Sequence, residues 1–481
     1  MSLNLTRRKL LGVITVGSVL QGCGGGGGGV VKSEPVPGAP EKLSLRSLSV
    51  STLYFAHRGG ALVYPEHTYE AFDGVVSKSP LLECDVQTLR DGALALMHDL
   101  TVDRTTTSSG KVSEFSTTEW RQLKVDADDW HGSHFGNGLQ SVLFADWVAR
   151  YKDKAILVPE DKDGRSTAAM IAVFNAQGVD KGQVLIQSFF LTALRPALDA
   201  GYETCYLDSG QGSPAGPVSA GVKWVGIDAR ATDADTKKWL ASGLKVIVWT
   251  VDRRFMRDAK LALGVHGFFS DDPEYLSGNT PLSTTDRFEA QTWMPGMSAN
   301  AVENGGRLSR GRFLGADYWG YDTSAPGYLG CLQGYLSPIR KSSTGQMSVE
   351  INITFDAADQ GNEGRWASVF ISKDDRPFID RNEASAGHHV LFRKNGVIEV
   401  YRKAAGSFSV LVSGVGGTPI ADGAEVRFRI TCSSTGVVVS RLQADRTIAT
   451  TLATNDASVN ADYLHLGRSG LACRFRKLIV T

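Results

Sequence analysis

The chain has 481 residues, which at about 150 per domain suggests about three domains, and it carries 42% hydrophobic and 21% charged residues. That mix is globular and excludes a mostly disordered chain or a polytopic membrane protein. Fifty-one Lys and Arg balance fifty-one Asp and Glu, so no broad basic field exists to hold nucleic acid.

Arg7, Arg8 and Lys9 precede an apolar stretch from Leu10 to Leu20. Eleven residues are too few for a spanning helix, which needs about 20, and the layout is that of a secretory signal. Thr6-Arg7-Arg8-Lys9-Leu10-Leu11 resembles a twin-arginine export motif. Leu20-Gln21-Gly22-Cys23 resembles a lipobox, with Cys23 as the lipidated new N-terminus. Residues 1–23 are therefore expected to direct export to a bacterial cell envelope and to supply a membrane anchor. The run Gly24 to Gly29 and the prolines at 35, 37 and 40 predict a flexible tether over 24–50.

Short apolar runs then alternate with helix-like segments. Strands are expected at Leu53–Ala56, Leu81–Val86, Ala155–Val158, Val184–Ser188, Glu203–Leu207, Trp224–Ile227, Lys245–Val251 and Gly267–Phe269, with a short extra one near Ala93–Met97. Phe144–Tyr151, Thr167–Gln177 and Phe190–Ala200 read as helices between them. Apolar strands alternating with helices imply a parallel sheet covered on both faces, and eight units predict an α/β TIM barrel over 51–280. A doubly wound open sheet is the alternative.

Beyond Pro281 the period changes. Met347, Val349, Ile351, Ile353 and Phe355 alternate with polar residues, the mark of a half-buried strand. Asn395-Gly396 between two such runs signals a hairpin. With 281–310 as a linker, 311–481 is expected to be an all-β sandwich or jelly roll. On pattern alone it resembles a concanavalin-A-like lectin or glucanase domain, which would bind a glycan or cell-envelope ligand. Tyr318, Trp319 and Tyr321 read as packing there, with a sugar-stacking platform as the alternative. The barrel has its own eight strands, so it is expected to work without the second domain.

The chemistry lies in the barrel. Glu83 and Asp85 sit two apart on the second strand and so share a face. Glu160 and Lys162 do the same at the end of the third strand, His57 and Arg58 follow the first, and His98 ends the short extra strand. A barrel collects such residues at its C-terminal face. Three converging carboxylates repel one another unless a hard divalent cation, Mg²⁺ or Ca²⁺, joins them. Two histidines supply an acid and a base, and Arg58 and Lys162 are suited to a phosphate. The set points to metal-assisted phosphodiester cleavage.

Phe55-Ala56-His57-Arg58-Gly59-Gly60, Pro65-Glu66-His67-Thr68, Glu83-Cys84-Asp85-Val86 and His98-Asp99 through Asp103-Arg104-Thr105-Thr106 together resemble the glycerophosphodiester phosphodiesterase family. The resemblance continues through Glu160-Asp161-Lys162, Gln187-Ser188-Phe189, Val248-Trp249-Thr250-Val251 and Ser270-Asp271-Asp272-Pro273. It implies Glu83, Asp85 and Glu160 as metal ligands, His57 and His98 as the acid/base pair, and Arg58 and Lys162 on the phosphate. It also implies Trp249 and Phe189 on the substrate and Glu66 at or beside the metal site. Two positions depart from the family: His67 stands where Asn is usual, and Asp161 where an apolar residue is usual.

The expected reaction is metal-dependent hydrolysis of a glycerophosphodiester to glycerol 3-phosphate and an alcohol. The alternatives are a phospholipase D or sphingomyelinase D type enzyme on the same barrel and a non-catalytic surface protein that binds glycan. His131, His134, His266, His388, His389 and His465 read as structural, and Cys432 and Cys473 as a pair that could form a disulfide.

Overall fold

The apolar runs between Leu53 and Ser270 pair side by side in parallel. The strands are β1 (Leu53–Ala56), β2 (Leu81–Thr88), β4 (Ile156–Asp161), β5 (Leu185–Ser188), β6 (Glu203–Asp208), β7 (Trp224–Asp228), β8 (Lys245–Trp249) and β9 (Gly267–Ser270). They run in order round the sheet, and β1 pairs with both β9 and β2, through Ala56 against Leu82. An open sheet has two free edges; this one closes and is a TIM-type barrel. The short strand β3 (Leu94–Leu96) lies antiparallel on β2. The helices outside are α1 (Tyr69–Val75), α2 (Phe144–Tyr151), α3 (Thr167–Ala176), α4 (Arg195–Asp199), α5 (Ala215–Ala220), α6 (Asp233–Ala241), α7 (Arg254–Leu263) and α8 (Pro273–Ser277).

This computed structural model describes residues 43–45, 51–279, 285–297, 300–302, 308–314, 318–321, 331–336, 345–355, 366–376, 386–404, 407–458, 461–469 and 473–481, with backbone alone over 300–336. The export signal, Cys23 and most of the tether lie outside the described residues, as do the side chains of Tyr318, Trp319 and Tyr321. No helix among the described residues is long and apolar enough to cross a membrane.

Strand alternation sorts the barrel's side chains into two layers. Leu82, Cys84 and Val86 pack outward against α1, α2 and α3. Leu81, Ile156, Val158, Leu185, Leu207 and Ile247 fill the interior. The inward series that begins with these aliphatic residues ends in polar ones at the strands' C-terminal ends: Leu81, Glu83, Asp85; Ile156, Val158, Glu160; Leu185, Gln187. The apolar floor and the polar mouth are therefore two halves of one alternating pattern.

After the barrel the described residues form two antiparallel sheets, of eight and six strands. Val349, Ile351 and Ile353 of one face Ala367, Val369 and Val390 of the other in a shared core. Gly396 completes the hairpin between Gly387–Arg393 and Val397–Ala404 with φ +88°, a conformation that favours glycine. Phe288, Trp293, Met294 and Met297, in the stretch read as a linker, are buried in this same core. The other face of the six-stranded sheet is covered as well, since Ser368, Phe370, His389 and His465 are buried. Cys432 and Cys473 pair with Met347 and Phe355 at opposite ends of one strand. Eight residues of strand put them about 27 Å apart, beyond the reach of one disulfide.

Candidate active site

His57 leaves the end of β1 in a tight loop. Gly59 has φ +84°, and a Cβ there would lie 2.8 Å from that of Ala71, so only glycine lets α1 approach. The loop returns the Arg58 amide to Glu83, whose Oε2 accepts from it at 2.7 Å. Gln187 donates to the other oxygen at 3.2 Å.

Asp85 and Glu160 are register partners on adjacent strands. Ligand atoms of Glu83, Asp85 and Glu160 lie within 4.8 Å of one another, and all three residues are buried. Burial, then Asp85, raises Glu83 to about 8; burial and Asp85 likewise raise Glu160 to about 7, against Lys162. Burial also opposes charge on Asp85, but Lys162, Arg58 and His67 outweigh it and hold that carboxyl well below its usual range. Lys162 Nζ and Arg58 Nε stand 3.2 Å from its two oxygens, yet neither oxygen has a partner in hydrogen-bonding geometry. Two destabilised carboxylates beside an under-bonded third fit a hard divalent cation.

The two histidines are built alike. His57 Nδ1 lies 2.6 Å from Asp271 Oδ1 and His98 Nδ1 2.6 Å from Asp99 Oδ1. A carboxylate only accepts, so each Nδ1 carries the proton and Nε2 is left to the cleft. Their pKa values are pushed in opposite directions. Burial and Arg58 push His57 down, but Asp271 and Glu83 outweigh them and lift it to about 9. His98 is pushed down by burial, with Arg58 and Lys162 adding to it against Asp85.

A cleft of about 220 Å³ is lined by the polar His57, Arg58, Glu83, His98, Glu160, Lys162 and Gln187 and by the apolar Phe189, Leu207, Trp249 and Phe269. Phe189 stands edge-on to Trp249, centroids 5.7 Å apart. Glu66 stands back from the cleft: Arg104 binds its two oxygens at 2.8 and 2.9 Å and Arg58 approaches at 3.5 Å.

Both departures have physical reasons. His67 has φ +58°, a left-handed conformation in which Asn and His are enriched, and its Nε2 accepts from the Asp85 amide at 3.1 Å. Asp161 points away from the cleft. Its carboxylate accepts from the amides of Arg165, Ser166 and Thr167 and from the Thr167 hydroxyl, at 2.7–3.1 Å, and so closes the start of α3.

Residues 57–275 match the model of the glycerophosphoryl diester phosphodiesterase family. That stretch is a domain of this family. A Caldanaerobacter subterraneus protein named glycerophosphodiester phosphodiesterase is 28% identical over 247 residues, covering 47% of this chain and 97% of its own. Mycobacterium tuberculosis has a protein named "Probable glycerophosphodiester phosphodiesterase 1", 28% identical over 245 residues, or 44% of this chain and 88% of its own. A solved Oleispira antarctica phosphodiesterase in complex with the product sn-glycerol-3-phosphate is 21% identical, covers 48% of this chain and 96% of its own, and superposes with a TM-score of 0.42.

Arg104 and Asp271 carry no role in the sequence reading, although both stand in motifs it singles out. Arg104 binds Glu66 and also donates to Asp99 from Nε at 2.6 Å, linking the cation cluster to the partner of His98. The signal available was a charged residue inside each motif; the partner of each is 38 or 214 positions away.

Proposed function

We propose that the glycerophosphodiester phosphodiesterase domain hydrolyses a glycerophosphodiester to glycerol 3-phosphate and an alcohol. The juxtaposition of the Glu83, Asp85 and Glu160 cluster with two carboxylate-held histidines carries this reading. The family model and the relatives' names support the class.

Glu83, Asp85 and Glu160 would hold Mg²⁺ or Ca²⁺, which when bound supplies charge to the phosphoryl oxygens. Arg58 and Lys162 add cations beside them. His98, held neutral, takes a proton from water as its oxygen bonds to phosphorus. The bond from phosphorus to the alcohol oxygen breaks, and His57 gives that oxygen its proton. Trp249 and Phe189 offer an apolar wall to the organic part. An envelope location through Cys23 would put the substrate outside the cytoplasm.

Purified full-length protein, stripped of metal and resupplied with Mg²⁺ or Ca²⁺, tests the reading. Glycerol 3-phosphate should appear with one equivalent of alcohol, and Asp85→Asn should lose metal binding and turnover together. Cyclic products or free phosphate instead of glycerol 3-phosphate would overturn it.

One observation favours a second reading, a lipid phosphodiester. Phe189 and Phe190 are 41% and 51% exposed beside the cleft, an apolar step on which an acyl chain could lie. Faster turnover of a lysophospholipid than of its water-soluble headgroup diester would favour it.

A further inference from the structure

Asp375 belongs to the second domain, three residues past the strand Trp366–Ser372, and its side chain is wholly buried. Its side-chain bonds among the described residues go to the barrel. Oδ2 accepts from the Arg254 amide at 2.6 Å and from the Tyr275 hydroxyl at 2.8 Å, and Oδ1 accepts from the Phe255 amide at 2.9 Å. Arg254 and Phe255 open α7, whose preceding residue, Arg253, makes no side-chain cap. The helix is thus capped by a carboxylate from the second domain.

These contacts bracket the partner of His57. The loop into α7 contains Asp252, whose Oδ1 accepts from the Asp271 amide at 2.8 Å and from Ser270 Oγ at 3.0 Å. Asp271 in turn holds His57. Asp272 accepts from the Tyr275 amide and, at 2.6 Å, from the Gly296 amide beyond the barrel. Val63, four residues past Gly59, is buried with Phe288, Trp293 and Met297 in the second domain's core. Three loops of the catalytic mouth therefore bear on the second domain.

We propose that Asp375 is a positioning residue for the barrel's reaction: it pins the starts of α7 and α8, and through Asp252 and Asp271 it sets the His57 imidazole. The inference rests on the reading that His57 takes part in turnover. Supporting side chains that lock a reacting group are typically worth about 10- to 100-fold.

The test uses the full chain with metal. Asp375→Asn keeps the shape and removes one acceptor oxygen; Tyr275→Phe removes one donor and leaves the cap. The first should lower kcat about tenfold and the second less, with KM and metal affinity unchanged. The decisive measurement is a cycle with Asp271→Asn: if Asp375 acts through Asp271, the double variant is no slower than Asp271→Asn alone. In histidine-labelled protein, the His57 Nδ1 proton resonance should move in Asp375→Asn even without substrate. Unchanged kcat in folded Asp375→Asn, or losses that simply multiply, would overturn the proposal, as would loss of the fold in Asp375→Asn with wild-type kcat in Tyr275→Phe. If the wild type turns over no diester, the functional reading fails, while the resonance still reports on the link.

Discussion

His57 and Asp271 meet at 2.6 Å across 214 positions, at the ends of the first and last barrel strands. Parallel pairing of β1 with β9, Ala56 against Ser270, places the residues that follow side by side. The bond selects the imidazole's tautomer and helps to lift its pKa to about 9 against burial and Arg58.

Asp271→Asn should remove that support. A raised histidine pKa means a proton held below it and lost above it, so an acid catalyst fails as pH rises through about 9. In the variant this limb should move to lower pH, and kcat should fall about 10²-fold. A pH profile of kcat for wild type and variant checks both.

His57→Ala and His98→Ala should each lower kcat by about 10²- to 10⁴-fold. Metal affinity should barely change, since neither histidine belongs to the carboxylate cluster. A diester with a better leaving group should recover turnover in His57→Ala far more than in His98→Ala, because only the lost acid becomes unnecessary. Equal recovery in the two would reverse or dissolve the assignment.

Metal binding should strengthen with pH. Glu83 near 8 and Glu160 near 7 hold protons at neutral pH without metal, and a cation must displace them. Titration calorimetry with Mg²⁺ between pH 6 and 9, in buffers of different ionisation enthalpy, should show tighter binding and fewer released protons as pH rises. The metal-free protein should show the opposite trend in Tm. A carboxyl raised on folding stabilises below its unfolded value and loses that contribution as pH rises through its folded one. Added metal should restore Tm at high pH.

Arg104→Lys should cost turnover without costing the fold. One guanidinium spans Glu66 and Asp99, and a single ammonium cannot satisfy both in that geometry. A drop in kcat of about tenfold, with Tm within a few degrees of wild type, is expected from paired kinetics and calorimetry.

Asp161→Ala should do the reverse. The carboxylate closes α3 through three amides and a hydroxyl. Denaturant unfolding should show a loss of about 1–3 kcal/mol. Kinetics on the folded fraction should stay within a few-fold of wild type, because Asp161 points away from the cleft.

What local physics controls could be read directly from the chain. Short apolar runs between helix-like segments placed every barrel strand to within a few residues, because a strand covered on both faces is apolar along most of its length. The motifs marked His57, His98 and the three carboxylates because each lies on, or just after, a strand whose C-terminal half opens on the barrel's mouth. The strands Leu308–Leu314, Cys331–Leu336 and Trp366–Ser372 were not legible. The first two are broken by glycine, and Trp366–Ser372 is buried on both faces, so its pattern has no clean period. The pairing of partners emerges only once the chain is folded. Asp271 finds His57, Arg104 finds Glu66 and Asp375 finds α7 through bonds between residues 38 to 214 positions apart. Such partners leave no periodic trace. They are chosen by which loops chain closure brings together, and by the cost of leaving a buried charge or amide without a bond.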